Sequence, residues 1–488
     1  MRASTEDEST PDDREPASDL QLTPDVMLEL ARSASEMVVG RLRALRSERP
    51  WRGASRAELE PLLREPPPEE GRPALEVMQR AVRDVLPVAA RVDHPRFFAF
   101  VPSSATWPGV LAEYLAAGFN TFQGTWLGSG GPSQLELVVT DWFRQWLGYP
   151  ESAGGLFTSG GSAASLDALV AAREHAGAPD RPAVLMSDQS HSALERAARI
   201  VGVRPEAILK VPSDARFRIR VDELERMLSR ARRDGLSPIA VCANAGATNT
   251  GAVDPLDEMA DLCAREGVWL HVDAAYGGFA VITERGRELF RGIDRADSVT
   301  LDAHKWLFQP FEAGSLMVRD VRRLEAAFGV RPEYLQDADL GMEQVNFGDR
   351  GLQLSRSFRA LKVWMSVQTF GVAAFRRAVG RGIELADRAG EHVRASEVLE
   401  MLSPPSLGVV CFRVRPEGAG LSEADLERLN AAVQERVIAE GVAMMSSTRL
   451  KGTYALRLCI LNHQTTWADV RETLEAIERF GLEAAATR

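Results

Sequence analysis

The chain has 488 residues, 45% of them hydrophobic and 26% charged, with a formal net charge of −11; such proportions leave room for one large globular domain and one or two smaller ones. The acidic balance argues against a nucleic-acid partner, which requires clustered Lys and Arg to neutralise phosphates. The longest uncharged stretch, 114–135, is too rich in Gly, Ser, Asn and Gln for a lipid-facing span, and the four widely separated cysteines form no Cys-x-x-Cys pair, so no membrane, zinc site or disulfide framework is expected.

Residues 1–20 hold seven acidic and two basic residues, the composition of a disordered tail. They lack the cationic start and apolar core of a signal peptide, which with the unpaired cysteines points to the cytoplasm. Residues 21–47 read as one amphipathic helix with Val26, Leu28, Leu30, Met37, Val38, Leu42 and Leu45 on its apolar side. A Pro/Glu-rich break follows at 65–71, and 74–86 is helical again as far as Pro87. Helical arms of this kind need a surface to cover, on a partner subunit or on the same chain. The span 21–94 is therefore expected to be a helical dimerisation segment.

From 95 to 385 short apolar runs alternate with helical patterns. Strands are expected at 183–186 (AVLM), 239–243 (IAVCA), 268–272 (VWLHV) and 298–301 (SVTL), and helices at 162–174, 192–201, 221–233 and 255–266. Such alternation predicts an α/β domain around a mainly parallel sheet. Strands at 408–414 and 455–461, with helices at 422–440 and 466–480, predict a small α+β domain over 386–488.

Four segments carry chemistry. The run from Thr158 through Gly160, Gly161 and Ser162 leads into a helix, and serves either as an anion seat or as a cap and turn. Asp273 ends an apolar strand at the edge where open α/β sheets hold ligands; it suits a protonated ring nitrogen, or caps a helix. His191, in a loop after a strand, stacks on a planar ring or caps the next helix. Lys305, in Asp302-Ala303-His304-Lys305-Trp306, is a functional amine or a solvated loop residue. Together they place an anion seat, a stacking group, a carboxylate and an amine at strand ends of one sheet.

These segments resemble the group II pyridoxal 5′-phosphate (PLP)-dependent amino-acid decarboxylases, the fold-type-I family that includes aromatic L-amino-acid decarboxylase. The resemblance runs from about residue 22 to 480 and includes His94-Pro95-Arg96-Phe97-Phe98-Ala99-Phe100, Gly246-Ala247-Thr248-Asn249-Thr250-Gly251, the Lys305 segment and Ser355-Arg356-Ser357-Phe358-Arg359-Ala360-Leu361-Lys362. It implies a PLP-dependent transferase-like α/β fold, with 95–385 as the large PLP-binding domain. It further implies that Lys305 binds the cofactor covalently, Asp273 pairs with its ring nitrogen and His191 stacks on the ring. Gly161, Ser162 and His304 would hold the phosphate, and Thr248 and Ala275 would line the ring. Tyr334 would sit on a loop reaching the neighbouring subunit of a homodimer with shared sites, to help protonate the substrate carbon.

Phe100, Pro102 and Ser103 are expected in the substrate pocket, with Phe122 reaching in from the second subunit; ordinary core packing is the alternative for Phe100 and Phe122. The expected reaction is decarboxylation of an L-amino acid, aromatic or related, to its amine. The alternative is another PLP reaction on the same fold: aldehyde synthesis coupled to decarboxylation, or an aldol-type or sulfur lyase. Tyr334 favours the amine, because aldehyde-forming relatives often carry phenylalanine there. Phe100, Ser103, Gly124, Ala247 and Ala303 depart from residues common in the aromatic relatives, which weakens any assumption of one particular aromatic substrate.

Overall fold

In the computed structural model, residues 20–330, 344–418 and 420–486 are described. The acidic stretch up to residue 19 and Tyr334 lie outside them. The chain divides into two compact units, one ending at Ala90 and the other beginning at Arg91.

In the first unit, α1 (Pro24–Ala44) has the expected start and stop signals. Thr23 accepts the Val26 N–H, Pro24 opens the first turn beside Asp25, and Arg41 and Arg43 occupy the last turn. Its apolar residues Val26, Leu28, Val38 and Leu42 are exposed. A reciprocal Ser55/Glu58 capping box starts α2 (Arg56–Leu63). The helix α3 (Ala74–Arg80) passes into a wider turn over Ala81–Val85.

The second unit begins with α4 (Trp107–Gly118) and α5 (Trp126–Leu147). Strand–helix alternation follows: β1 (Gly154–Thr158), α6 (Gly161–His175), β2 (Pro182–Ser187), α7 (Ser192–Ile200), β3 (Ile208–Val211), α8 (Val221–Arg233), β4 (Ser237–Asn244), α9 (Leu256–Glu266) and β5 (Trp269–Asp273). After α10 (Glu284–Leu289) come β6 (Ser298–Asp302), β7 (Gly314–Val318) and α11 (Arg322–Phe328). The sheet order is β1-β7-β6-β5-β4-β2-β3. Strands β2 to β6 pair in parallel, and β7 runs antiparallel to both of its neighbours.

Both faces of this sheet are covered, so its strands read as continuous apolar runs. The strand period of two still sorts them. Leu185, Val241 and Ala243 join the core that holds Phe143, Phe157 and Phe279. Val184, Met186, Ala240 and Cys242 join the opposite one, with Ala168, Leu169 and Leu194.

The 36-residue helix α12 (Ala360–Ala395) is interrupted at Gly371, whose φ is +72°. It runs through position 385, expected as a domain boundary, without a break there. Beyond it lie β8 (Leu399–Ser406), β9 (Val409–Val414), α13 (Glu423–Ala439), β10 (Ser446–Leu450), β11 (Thr453–Cys459) and α14 (Trp467–Ala486). These four strands form an antiparallel sheet in the order β10-β11-β9-β8. Phe412, Leu456 and Leu458 of this sheet pack with Leu429, Val433, Leu474 and Ile477 of the two helices. No helix among the described residues is long and apolar enough to cross a membrane.

Candidate active site

The carboxyl ends of β1, β2, β4, β5 and β6 open onto one cavity of about 420 Å³, a size that suits a small ligand. Each strand end contributes a turn. From β1 come Ser159, Gly160, Gly161 and Ser162; from β2, His191; from β4, Asn244, Gly246 and Thr248. From β5 come Asp273 and Ala275, and from β6, Asp302, His304 and Lys305. The loop into β7 adds Phe311 and Glu312.

The first turn of α6 begins at Gly161 with no side-chain cap on Gly160. The leading N–H groups of such a helix have no intrahelical partner and form a positive pole. A Cβ added at Gly161 would lie 2.9 Å from Ala275 Cβ and 3.0 Å from Asp302 Oδ2, so glycine keeps this cradle open. Gly160 also touches β7: a Cβ on Gly314 would come within 2.3 Å of Gly160 Cα, an approach only glycine permits.

Lys305 Nζ lies 2.9 Å from Asp302 Oδ2, and the Asp302 side chain is 2% exposed. The second oxygen, Oδ1, is buried with no hydrogen-bond partner among the described residues. His304 Nδ1 accepts the Ala313 N–H at 3.1 Å. The neutral ring must therefore carry its proton on Nε2, which lies 3.6 Å from Asp302 Oδ2. Burial lowers the His304 pKa, opposed by Asp302 and assisted by Lys305 and Lys362, so the ring is an uncharged donor at neutral pH.

Burial pushes the Asp273 carboxyl above its usual range, opposed by the charge on Lys305 and by the Ala275 N–H that its Oδ1 accepts at 3.1 Å. A carboxylate under that desolvation gains most from a cationic N–H partner. His191 caps α7 by accepting the Ala193 N–H on Nδ1 at 3.2 Å, and it also lines the cavity. The capping and ligand-facing readings of this residue are thus compatible.

All eight residues expected around the cofactor, Gly161, Ser162, His191, Thr248, Asp273, Ala275, His304 and Lys305, line this cavity. The expected substrate residues Phe100, Pro102, Ser103 and Phe122 are not among those lining it. Ser103 is buried and donates to the Leu461 carbonyl. Phe100 and Phe122 are 61% and 39% exposed, which rules out core packing within the chain. Sequence reasoning missed Asp302 and Glu312. The spacing of Asp302 three residues before Lys305 was a usable signal, whereas Glu312 enters only through the β6–β7 loop.

Residues 57–415 match the family model described as the pyridoxal-dependent decarboxylase conserved domain. The chain belongs to the pyridoxal-dependent decarboxylase family. It is 38% identical to an aromatic-L-amino-acid decarboxylase of Bacillus atrophaeus, over 96% of this chain and 98% of that protein. It is 32% identical to a phenylacetaldehyde synthase of Petunia hybrida, over 82% and 83% of the two chains. Among solved structures, Oryza sativa TDC with PLP and tryptamine superposes with a TM-score of 0.90 at 30% identity, covering 95% of this chain and 99% of that one. This decarboxylase family member therefore has the fold of the PLP decarboxylases, uses PLP and acts on an amino acid.

The residues present fit that cofactor. The uncapped α6 turn with its glycine cradle suits a phosphate, the desolvated Asp273 suits a ring N–H, and the Lys305 amine suits an aldehyde.

Proposed function

We propose that this decarboxylase converts an aromatic or related L-amino acid to its amine and carbon dioxide, with Lys305 as the covalent anchor of PLP. The observation that carries the reading is the meeting of Lys305, Asp273, His191 and the Gly160–Ser162 turn around one cavity. When bound, PLP supplies a place for the electron pair left on carbon as carbon dioxide departs.

The chain's own residues do the rest. Gly161 and Ser162 hold the phosphate through the positive end of α6, with the His304 Nε2–H as a further donor. Asp273 keeps a proton on the ring nitrogen by offering it a desolvated carboxylate. His191 covers one ring face, and Thr248 and Ala275 bound the ring. Asp302 receives the Lys305 ammonium whenever that amine is free, since the two already lie in contact. The orientation that the surrounding pocket imposes on the substrate carboxylate would decide which bond breaks. Tyr334, outside the described residues, is assigned delivery of a proton to the substrate carbon at the neighbouring subunit's site.

A homodimer with shared sites is part of the proposal. Its support is the exposure of large apolar side chains in the second unit, among them Phe100, Tyr114, Phe119 and Leu127, which a partner subunit would cover. Phe100, Pro102, Ser103 and Phe122 are assigned to the substrate pocket of that dimer. The four cysteines are free and buried, which supports a reducing, cytoplasmic location. The similarity to a phenylacetaldehyde synthase keeps decarboxylation coupled to aldehyde formation as the second reading.

The test combines borohydride reduction of PLP-saturated protein, peptide mapping, and a product screen with aromatic and acidic amino acids. The expected result is a modified Lys305 peptide, with amine and carbon dioxide in equal amounts. An unmodified Lys305 overturns the anchor, and aldehyde with ammonia and peroxide replaces the first reading by the second.

A further inference from the structure

The motif Ser355–Lys362 supplies three buried cations, Arg356, Arg359 and Lys362, none of which lines the cavity. Lys362 reaches it through one peptide group. Its Nζ donates to the Glu312 carbonyl at 2.9 Å and to the Pro310 carbonyl at 3.3 Å. The other end of the Glu312–Ala313 peptide is the Ala313 N–H, which donates to His304 Nδ1 at 3.1 Å. One amide is therefore held between a buried ammonium on its oxygen and an imidazole on its hydrogen. Hydrogen bonds in such a chain polarise one another, and a cation on the carbonyl makes the N–H a better donor.

We propose that Lys362 is a positioning residue for the active site: acting through the Glu312–Ala313 peptide, it holds His304 in the tautomer that presents its Nε2–H to the cavity. The inference rests on the proposed role of His304 as a phosphate contact. Three further features support it. The Lys362 side chain is 2% exposed and is ion-paired with Glu113 of α4, so it is fixed between α4 and α12. The His304 N–H also donates to the Ala313 carbonyl at 3.2 Å, which ties the ring's own backbone to the same loop. Arg359 holds the Glu312 carboxylate, and so steadies the same residue from the side-chain end. The charged groups around His304 are Asp302, Lys305 and Lys362. Of these, Asp302 faces the Nε2 side of the ring at 3.6 Å and keeps Lys305 as its partner at 2.9 Å in either tautomer.

The experiment compares wild type, Lys362→Met, Lys362→Gln and His304→Ala as full chains. Two quantities are measured: the ¹⁵N shifts of the His304 ring in cofactor-free protein, and the ratio of affinities for PLP and for pyridoxal, which lacks the phosphate. Wild type is expected to show a protonated Nε2 and a bare Nδ1. Lys362→Met is expected to lose that tautomer preference and to lower the PLP/pyridoxal ratio about 2- to 10-fold, the worth of one ordinary hydrogen bond. Lys362→Gln, which still donates to the carbonyl, is expected to recover most of both. A general loss of folding would weaken both ligands together and leave the ratio unchanged. Unchanged His304 shifts and an unchanged ratio in Lys362→Met would overturn the inference. An unchanged ratio in His304→Ala would instead overturn the role of His304 on which it rests.

Discussion

Arg356 and Glu136 form an ion pair whose side chains are 1% and 0% exposed, and cutting it should unlock the strand that leads to the glycine turn. Arg356 Nη1 donates to the Gln123 carbonyl at 3.1 Å and Nη2 to the Phe157 carbonyl at 2.8 Å. Glu136 Oε1 in turn accepts the Phe157 N–H at 2.7 Å. Both backbone groups of Phe157, two residues before Ser159, thus depend on the pair. In Arg356→Met the carboxylate is left in the core with one N–H partner, and two carbonyls lose theirs. Removing one member of a buried pair costs about 3–5 kcal/mol, because the remaining charge stays desolvated. Adding Glu136→Gln removes that charge and keeps an acceptor for the Phe157 N–H, so the double variant should be more stable than Arg356→Met by about 1 kcal/mol or more. Urea unfolding at pH 7, followed by circular dichroism and tryptophan fluorescence, measures all three variants. A loss below about 1 kcal/mol in Arg356→Met, or strictly additive effects in the double variant, would refute the reasoning.

Burial pushes the Asp167 carboxyl up to about 7. The folded chain then holds a proton that the unfolded chain releases, so stability should fall as pH rises from about 4 to about 7. Asp167→Asn is expected to melt at a higher temperature than wild type at pH 8.5 and to show little difference at pH 4, in parallel thermal scans. Tyr276 Oη accepts the Gly408 N–H at 2.8 Å, and Tyr276→Phe leaves that buried donor unpaired. A loss of about 1–3 kcal/mol is expected in chemical denaturation, against no change if water takes the place of the hydroxyl. Gly314→Ala drives a methyl into the backbone of Gly160. It should cost about 1–3 kcal/mol and weaken PLP binding in equilibrium titration; unchanged affinity would show that the turn adjusts freely.

The central strands could be read from the sequence because burial on both faces leaves them no polar alternation to confuse with a surface element. β2 and β4 in particular show as unbroken apolar runs. The chemistry at their ends was readable for a related reason: Asp273 follows such a run immediately, and His191 and Lys305 follow theirs within five residues. The other side of the site was harder to see. β1 (GGLFT) and β7 (GSLMV) open on glycines, and they become strands by pairing with each other and with β6, a tertiary cause that local preference cannot report. The length of α12 was obscured by Gly371. Asp302 opens the Asp302–Trp306 motif, but its partnership with Lys305 depends on the turn at the end of β6. The role of Ser355–Lys362 depended on contacts across 50 residues of sequence, beyond the reach of any pattern in one segment.

The reversed strand β7 sits between β1 and β6. Adjacent strands stand about 4.8 Å apart, so β7 sets the carboxyl end of β1 about 10 Å from that of β6, and the glycine turn crosses back over Gly314 until Gly160 and Gly161 lie beside His304 and Asp302. A parallel strand in that slot would end at the same rim and send a second helix start into the gap. The reversed one presents only its first residue, Gly314, and leaves the gap to small atoms. The turn after β1 can therefore lay the anion seat against the residues of β6 that carry the amine, and any side chain at that first position of β7 would push the two apart.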